Sequence, residues 1–484
     1  MPRAGLTAIQ SNDTSILGQI SDAWPVYQKL MEKYSAEQQQ APPPEEEEEE
    51  EGPKSSATTS VREIVQELPV RVAWVGFWNT IEFSPRLPEE RNYFLWTERV
   101  KVIMDGSLGA GTAALLEPYT DDASSRGLLS VTSEELETSL RTAYAKGYRL
   151  EAHSIGDRSF QLLLEKLENG VPYLDRLVFT HCQILNPDLL QRLKRLCNTS
   201  QTRRGSTATT NQENVSAFSR WLPSWGRGPS WGGGWNFFCQ ESKAVAENNK
   251  DKLQSDQDNQ RPKIIGSIQP QFTNSDLPIL EEKLGHQRLE CCYAWKSIRK
   301  TGCVLSGGSD APVERMAPLE GMRCAMRNAL HRSYLKSDDV DARQDDLYQE
   351  IQSINKKEDL SFAETLALYT RNSAFSAGVS DSLGVLDRGF FADFVVLDVA
   401  ASCSPSWDWE QELSDAFLQP NGVRVHSTYV GGKKRYDSSE ISEREAEEDF
   451  ALLCTSDTNA PGRGGLPIWK CPCCFPDAQT RGFR

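Results

Sequence analysis

Short apolar runs that alternate with helical patterns organise this chain. Most of the apolar runs are separated by segments whose apolar residues recur at helical spacing. Strands that alternate with helices are typical of βαβ units and a parallel sheet. The predicted strands lie at Leu6, Val70, Val100, Leu150, Leu177, Ile264 and Val304. The pattern therefore predicts an α/β fold, a barrel of the TIM type.

Seven segments show the helical spacing. Thr132 or Ser133 can cap one of these helices, and Gly147 ends it. The predicted helices are Ile16–Tyr34, Ser133–Lys146, Arg158–Leu167, Pro187–Leu196, Glu290–Arg299, Pro318–His331 and Ser361–Ala377. Further on, Leu383–Asp398 predicts a turn and a strand, and Val423–Tyr436 predicts a strand pair around Gly431-Gly432.

Three stretches of the chain show neither the strand pattern nor the helical spacing of apolar residues. Residues 38–60 contain glutamines, a proline triplet and the glutamate run Glu45–Glu51, which favours a disordered acidic linker. Residues 197–262 are rich in Trp, Gly and Ser and predict an irregular insertion. Residues 439–484 are acidic and then rich in Gly, Pro and Cys, which predicts a disordered tail.

Polar side chains stand where several predicted strands end. His153 and His181 each end a strand, Asp310 follows a third, and Lys101 lies inside a fourth. The C-terminal ends of barrel strands carry the chemistry of such folds, so these four residues together predict a metal site. A single histidine at a strand end is more often a hydrogen-bonded structural residue.

The motifs around these residues resemble those of the amidohydrolase superfamily, in its family-3 branch, which includes N-substituted formamide deformylase. The resemblance covers Gly5–Gln10, Leu68–Leu196 and Ile264–Tyr436. The motifs are Lys101-Val-Ile-Met-Asp-Gly-Ser-Leu-Gly109, His153-Ser-Ile-Gly-Asp157, His181-Cys-Gln183 and Ser309-Asp-Ala-Pro-Val313.

The resemblance implies a (β/α)8 barrel with a small β-sandwich accessory domain. Residues 1–37 would supply the second strand and a helix, 61–196 strands three to six, 263–380 strands seven and eight with closing helices, and 381–438 the β-sandwich. The family places a His-x-His pair on the first strand, and this sequence contains no such pair. We therefore expect the first strand to be missing.

The same resemblance implies a role for each of the four polar residues. His153 and His181 would bind a divalent metal, most simply Zn²⁺. Lys101 would bridge metals as a carbamate. Asp310 would bind metal, accept a proton from water and pass it to the leaving nitrogen.

Other candidate residues leave alternatives open. Asp105 is open to three interpretations: a substrate contact, a residue that orients the site, or a turn residue. Arg176 either contacts substrate or pairs with Asp175 at the surface. Asp157 is favoured as a helix cap over a metal ligand. Cys471-Pro-Cys-Cys474 lacks the second pair that a zinc finger needs.

The amino-acid composition and net charge narrow the classes of possible binding partners and the cellular compartment. A net charge of −16 argues against nucleic-acid and acidic-lipid partners, and no apolar stretch is long enough to span a bilayer. The 12 cysteines show no framework spacing, which favours reduced thiols in a cytoplasmic protein.

These observations predict a metal-dependent hydrolase that cleaves a non-peptide amide or formamide C–N bond of a small molecule. Self-association into a homo-oligomer is left open. Two alternatives remain: a non-catalytic binding or regulatory descendant of the family, and an incomplete gene product.

Overall fold

Seven parallel strands form the main sheet, in the order in which they occur along the chain. The computed structural model describes residues 1–11, 70–80, 93–198, 264–326, 356–400, 409–419 and 422–440. The strands are β1 Ala8–Ser11, β2 Arg71–Phe77, β3 Leu95–Ile103, β4 Arg149–Ser154, β5 Leu177–His181, β6 Ile264–Ile268 and β7 Val304–Gly307. All seven predicted strands are present, and the α/β fold of the TIM type is confirmed.

Helices connect these strands along the described part of the chain. Thr132 caps α1 and forms a capping box with Glu135, as the sequence predicted for this end. The helices are α1 Ser133–Ala145, α2 Asp157–Glu168, α3 Pro187–Asn198, α4 Phe272–Leu284, α5 Trp295–Lys300, α6 Pro318–Met326, α7 Phe362–Tyr369, α8 Arg371–Ser376 and α9 Trp409–Leu418. Short 3-10 turns occupy Pro2–Ala4, Trp78–Thr80, His286–Cys291, Lys356–Glu358 and Ser438–Glu440.

Two helix predictions were wrong in detail. The predicted helix Glu290–Arg299 is interrupted, because Tyr293 adopts a left-handed backbone conformation with φ 51° between a 3-10 turn and α5. The predicted helix over Ser361–Ala377 divides into α7 and α8 at Thr370, whose φ of −126° and ψ of −106° are not helical. Helix α4 lies in a stretch for which the sequence predicted no element.

Several predictions concern other parts of the chain. Outside the described residues lie the predicted helix Ile16–Tyr34, the linker 38–60, residues 199–262 of the insertion and residues 441–484 of the tail, with Cys471–Cys474. Those predictions, and the exact domain boundaries, stay predictions.

The main core lies between the sheet and the helices that cover it. Helix α2 buries Phe160, Leu163, Leu164 and Leu167, which share one face because they are spaced three and four residues apart. The ring of Phe160 stacks on Phe179 of β5, with 4.4 Å between ring centroids. Burial of each such side chain stabilises the fold by about 1.5–3 kcal/mol. No helix in the described ranges is long and apolar enough to cross a membrane.

A second, antiparallel sheet follows the barrel segments. Its strands are β8 Phe394–Val399, β9 Val423–Val430 and β10 Lys433–Asp437. Gly431 and Gly432 connect β9 to β10, and both have positive φ values, 60° and 78°, which favour glycine. The strand and turn pattern predicted for this region is confirmed.

One buried ion pair joins the two sheets. The Arg71 guanidinium at the start of β2 donates two hydrogen bonds to the Asp393 carboxylate, at 2.8 and 2.9 Å. The guanidinium lies 4.4 Å from the ring centroids of both Phe94 and Phe391. Asp393 also accepts a 2.8 Å hydrogen bond from the backbone N–H of Gly431. The charges are therefore well satisfied although both side chains are buried.

We expect Arg71→Leu to lower the free energy of unfolding by about 3–5 kcal/mol, because it leaves the Asp393 carboxylate buried without its cation. Urea denaturation measures this change. Arg141→Leu is the matched control: it removes an exposed pair with Glu137, and we expect a much smaller loss, because solvent screens exposed ion pairs. The combined change of Arg71→Leu with Asp393→Leu should recover part of the loss. Equal losses in Arg71→Leu and Arg141→Leu would contradict the assignment.

Candidate functional site

The two predicted histidines meet at the C-terminal ends of neighbouring strands. In the register of β4 and β5, His153 lies opposite Thr180, and His181 lies opposite Ser154. His153 Nδ1 and His181 Nε2 are 2.9 Å apart, and the two rings are tilted at 67°. Both residues are only 2% exposed. The parallel pairing thus aims one nitrogen of each ring at the same point.

Hydrogen bonding sets the tautomer of the pair. His153 Nε2 lies 3.2 Å from the carbonyl oxygen of Gly106, which can only accept, so Nε2 carries the proton. His153 Nδ1 therefore presents its lone pair to His181. Burial lowers the pKa of His153 well below its usual value and lowers the pKa of His181 to about 3. Both imidazoles are neutral at neutral pH, which is the form that binds metals.

Lys101 lies across from Glu151 in the β3–β4 register, and the two side chains form a buried ion pair at 3.7 Å. Glu151 also accepts hydrogen bonds from Gln10 at 2.6 Å and Thr180 at 3.0 Å. The charge of Lys101 contributes to the lowered pKa of both histidines, so its amine lies beside the pair.

Glu151 was not among the predicted site residues. A signal for it was present, because it is an acidic residue in an apolar strand, two positions before His153 and so on the same face. Its partners Lys101, Gln10 and Thr180 come from three other strands. These three partners hold the Glu151 side chain on the same face of β4 as His153.

Asp310 follows β7 at the same edge of the sheet. It is partly exposed, and burial raises the pKa of its carboxyl group, while the charges of Lys101 and His153 lower it. These interactions place Asp310 near the same residues as the histidine pair. The structure therefore places Lys101, His153 and His181 side by side, with Asp310 within electrostatic range of Lys101 and His153, and their individual roles stay predictions.

The backbone is strained at this edge. His181, Cys182 and Asp310 have φ values of 80°, 51° and 54°, in a region that non-glycine residues seldom adopt. Each such residue costs on the order of 1–3 kcal/mol and persists only where its surroundings impose it. Strain of this kind concentrates at functional sites, which agrees with the position of these residues.

Asp105, a predicted substrate contact, is fully buried at the end of the lysine strand. Its two oxygens accept hydrogen bonds from the backbone N–H groups of Ala114, Ile155 and Gly156, and from the Ser159 hydroxyl, at 2.8–3.1 Å. Burial raises its pKa to about 7, although these donors act in the opposite direction. The structure leaves no exposed surface for a substrate, and it supports the alternative that Asp105 orients the site.

Arg176, the other predicted substrate contact, lies at the opposite edge of the sheet. It precedes β5, five residues before His181, which corresponds to about 16 Å along a strand. Its guanidinium pairs with Glu98 at 2.9 Å and with Asp175 at 3.6 Å. The structure does not bring Arg176 to the histidine pair, and the alternative pairing with Asp175 is present.

Asp157 is the first residue of α2, one position after the N-cap residue Gly156. Its carboxylate accepts hydrogen bonds from backbone N–H groups in the first turn of this helix, which resembles the predicted capping role. It also accepts a 2.8 Å hydrogen bond from the backbone N–H of Leu116. Asp157 therefore fixes the loop after β3 to the start of α2.

Comparison with known proteins places the chain in a family. A sequence model of the amidohydrolase family matches residues 1–203 and 261–436. "Putative amidohydrolase YtcJ" of Bacillus subtilis (strain 168) is 28% identical over 302 residues, 62% of this chain and 41% of that protein. Protein LONG AFTER FAR-RED 3 of Arabidopsis thaliana is 24% identical over 348 residues, 71% of this chain and 43% of that protein. The chain thus spans less than half the length of these relatives.

The chain also has partial similarity to a solved structure. An uncharacterized metal-dependent hydrolase from Pyrococcus horikoshii OT3 is 22% identical, with a TM-score of 0.45. The similarity covers 66% of this chain and 49% of that one. The family match extends over most of the chain and includes the strands that carry Lys101, His153, His181 and Asp310. By that match, the chain belongs to the amidohydrolase family.

Proposed function

We propose that this protein is a metal-dependent hydrolase that cleaves an amide or formamide C–N bond of a small, non-peptide molecule. The observation that carries the proposal is the pair of buried, neutral imidazoles whose nitrogens face each other at 2.9 Å, beside Lys101 and Asp310. Membership of the amidohydrolase family supports this class of reaction.

The donor atoms of the histidine pair are of a type that suits a metal ion. Two imidazole nitrogens on one tetrahedral Zn²⁺ lie about 3.4 Å apart, because each Zn–N distance is about 2.0–2.1 Å. The 2.9 Å contact is a hydrogen bond in which His181 Nε2 donates to His153 Nδ1. Metal binding by both atoms would open the pair slightly and move that proton to His181 Nδ1. Within the described ranges, no group of three His, Cys, Asp or Glu side chains converges to hold a metal. The two imidazoles alone would therefore bind an ion weakly.

The remaining residues have distinct tasks in hydrolysis. A bound divalent metal would lower the pKa of a water molecule and polarise the scissile carbonyl. Asp310 accepts the proton of the attacking water and delivers it to the leaving nitrogen, a role that suits a carboxyl group with a raised pKa. Glu151 holds the Lys101 amine next to the histidines. The carbamate role of Lys101 rests on the family resemblance.

A binding or regulatory function is the second candidate. It is favoured by the finding that no third ligand of the usual types joins His153 and His181 in the described part of the chain. A protein of this kind would bind a small amide without turning it over.

We expect this chain to bind Zn²⁺ weakly and below one ion per chain, because among the described residues only the two imidazoles converge as ligands. Changing both His153→Ala and His181→Ala should abolish the binding. Equilibrium dialysis followed by elemental analysis measures it. His426→Ala is the matched control, since His426 is exposed on β9 beside Asp398 and far along the chain from the pair. Tight binding of two ions per chain, or equal binding by the double variant, would refute the assignment.

We expect Asp310→Asn to reduce hydrolysis by roughly 100-fold or more, because asparagine cannot accept the proton from water. Asparagine tolerates the left-handed backbone of this position, so the fold should persist. The assay measures primary amine released from small N-formyl and N-acyl amines in the presence of Zn²⁺.

Asp415→Asn, an exposed change on α9, is the control for this experiment. Hydrolysis that is equal in Asp310→Asn and the control would exclude the proton-transfer role of Asp310. Binding of amides by the unchanged protein without any released amine would favour the second candidate instead.

A further inference from the structure

A carboxylate, an amide and a phenol form a hydrogen-bonded group beside the histidine pair. Asp276 of α4 accepts hydrogen bonds from the Gln183 amide at 2.8 Å and from the Tyr293 hydroxyl at 2.5 Å. The backbone N–H of Tyr293 also donates to the Gln183 carbonyl at 2.8 Å. We call Gln183, Asp276 and Tyr293 the Asp276 cluster. Both side-chain bonds end on Oδ2 of Asp276, so its second oxygen, Oδ1, is left for another donor.

The Asp276 cluster adjoins the candidate site. Gln183 follows His181 by two residues, and the ring of Phe272, at the start of α4, stacks on His181 with 5.8 Å between centroids. Asp276 lies one helical turn after Phe272 and so on the same side of α4. The cluster therefore lies at the same edge of the sheet as the reacting groups.

One buried amide oxygen in this region lacks a donor. Gln183 is 3% exposed, and its side-chain oxygen has no hydrogen-bond partner among the described residues. Exchanging the oxygen and nitrogen of Gln183 would set its oxygen against the Asp276 carboxylate, so the orientation is fixed. A buried acceptor without a donor is costly, and a ligand that supplies N–H groups would remove that cost.

A second carboxylate adds negative charge to this region. Glu314 follows Asp310 by four residues, and burial together with the nearby Glu320 and Asp276 carboxylates raises the pKa of Glu314 to about 7. Arg315 is engaged by Glu320 at 2.7 Å. The Ser275 hydroxyl, one residue before Asp276 on α4, donates a hydrogen bond to the Glu314 carboxylate. The two carboxylates therefore share one neighbourhood, in which a cation would relieve their repulsion.

We propose that Asp276, Gln183 and Glu314 form a subsite for a positively charged alkylammonium group on the substrate. The inference deepens the proposed hydrolase function and rests on it for the identity of the scissile bond. An ammonium group fits because its three N–H donors match carboxylate and amide oxygens. A divalent metal fits less well, because no three His, Cys, Asp or Glu side chains converge in the described residues. The substrate class is then an N-acylated diamine.

The test compares a cationic probe with its neutral counterpart. N-acetyl-1,4-diaminobutane carries the ammonium group, and N-pentylacetamide replaces that group by a methyl group. Calorimetry in metal-free buffer measures the affinity of the full chain for both, and for shorter and longer homologues. We expect the best cationic probe to bind about tenfold or more tightly than its neutral counterpart, as charged hydrogen bonds usually allow. Equal affinities, or no binding of any cationic probe, would overturn the proposal.

Variants separate recognition from a purely structural role. Asp276→Asn should remove the preference for the cationic probe while the affinity for the neutral probe stays the same. A structural role of Asp276 would instead lower both affinities together and lower the melting temperature. Glu314→Gln, at a partly exposed position, should also weaken the preference, and it decides the question if Asp276→Asn does not fold. Asp415→Asn is the matched control and should keep the full preference.

Failure of this proposal can be distinguished from failure of the proposed function. The variant with His153→Ala and His181→Ala should lose Zn²⁺ but keep the preference for the cationic probe. A protein that binds Zn²⁺ and releases amines, yet binds both probes equally, would keep the hydrolase function and refute the ammonium subsite. A preference retained by both Asp276→Asn and Glu314→Gln would place the cation elsewhere and also refute it.

Discussion

A single buried carboxylate fixes the geometry on which the candidate site depends. Asp105 receives four hydrogen bonds from the loop after β3, the turn after β4 and the first turn of α2. The carbonyl oxygen of its neighbour Gly106 accepts a hydrogen bond from His153 Nε2–H and so determines which nitrogen faces His181. The raised pKa of Asp105 indicates that burial of its charge outweighs these donors. The chain thus retains an energetically costly group, and the orientation of His153 follows from it.

The same turn explains a glycine between the histidine and the helix. A side chain at Gly156 would place its Cβ 1.9 Å from the carbonyl oxygen of Ala114. The backbone after β3 can therefore approach α2 closely only if this residue has no side chain. That close approach is what allows the N–H groups of both segments to reach Asp105. The glycine of the His153–Asp157 motif is a packing requirement for the site.

Local sequence patterns predicted the strands and their terminal residues, because burial and strand spacing are encoded within a few residues. Parallel pairing then brings strand ends to one edge, which is why Lys101, His153, His181 and Asp310 could be grouped. The same reasoning could have placed Arg176 at the other edge, since it precedes its strand. Asp276 and the groups that donate hydrogen bonds to Asp105 could not be predicted. Their partners come from loops and from α4, whose Pro278 hides its helical character.

The charge of Lys101 connects the two proposals. An ammonium group beside two neutral imidazoles opposes a divalent metal by direct repulsion, unless a nearby anion compensates it. Glu151, at 3.7 Å, supplies one such anion, and Asp310 lies close enough to supply a second. With both engaged there, a cationic substrate would need separate carboxylates, which the proposed subsite supplies as Asp276 and Glu314. The division of the acidic residues into two groups therefore follows from where the positive charges must lie.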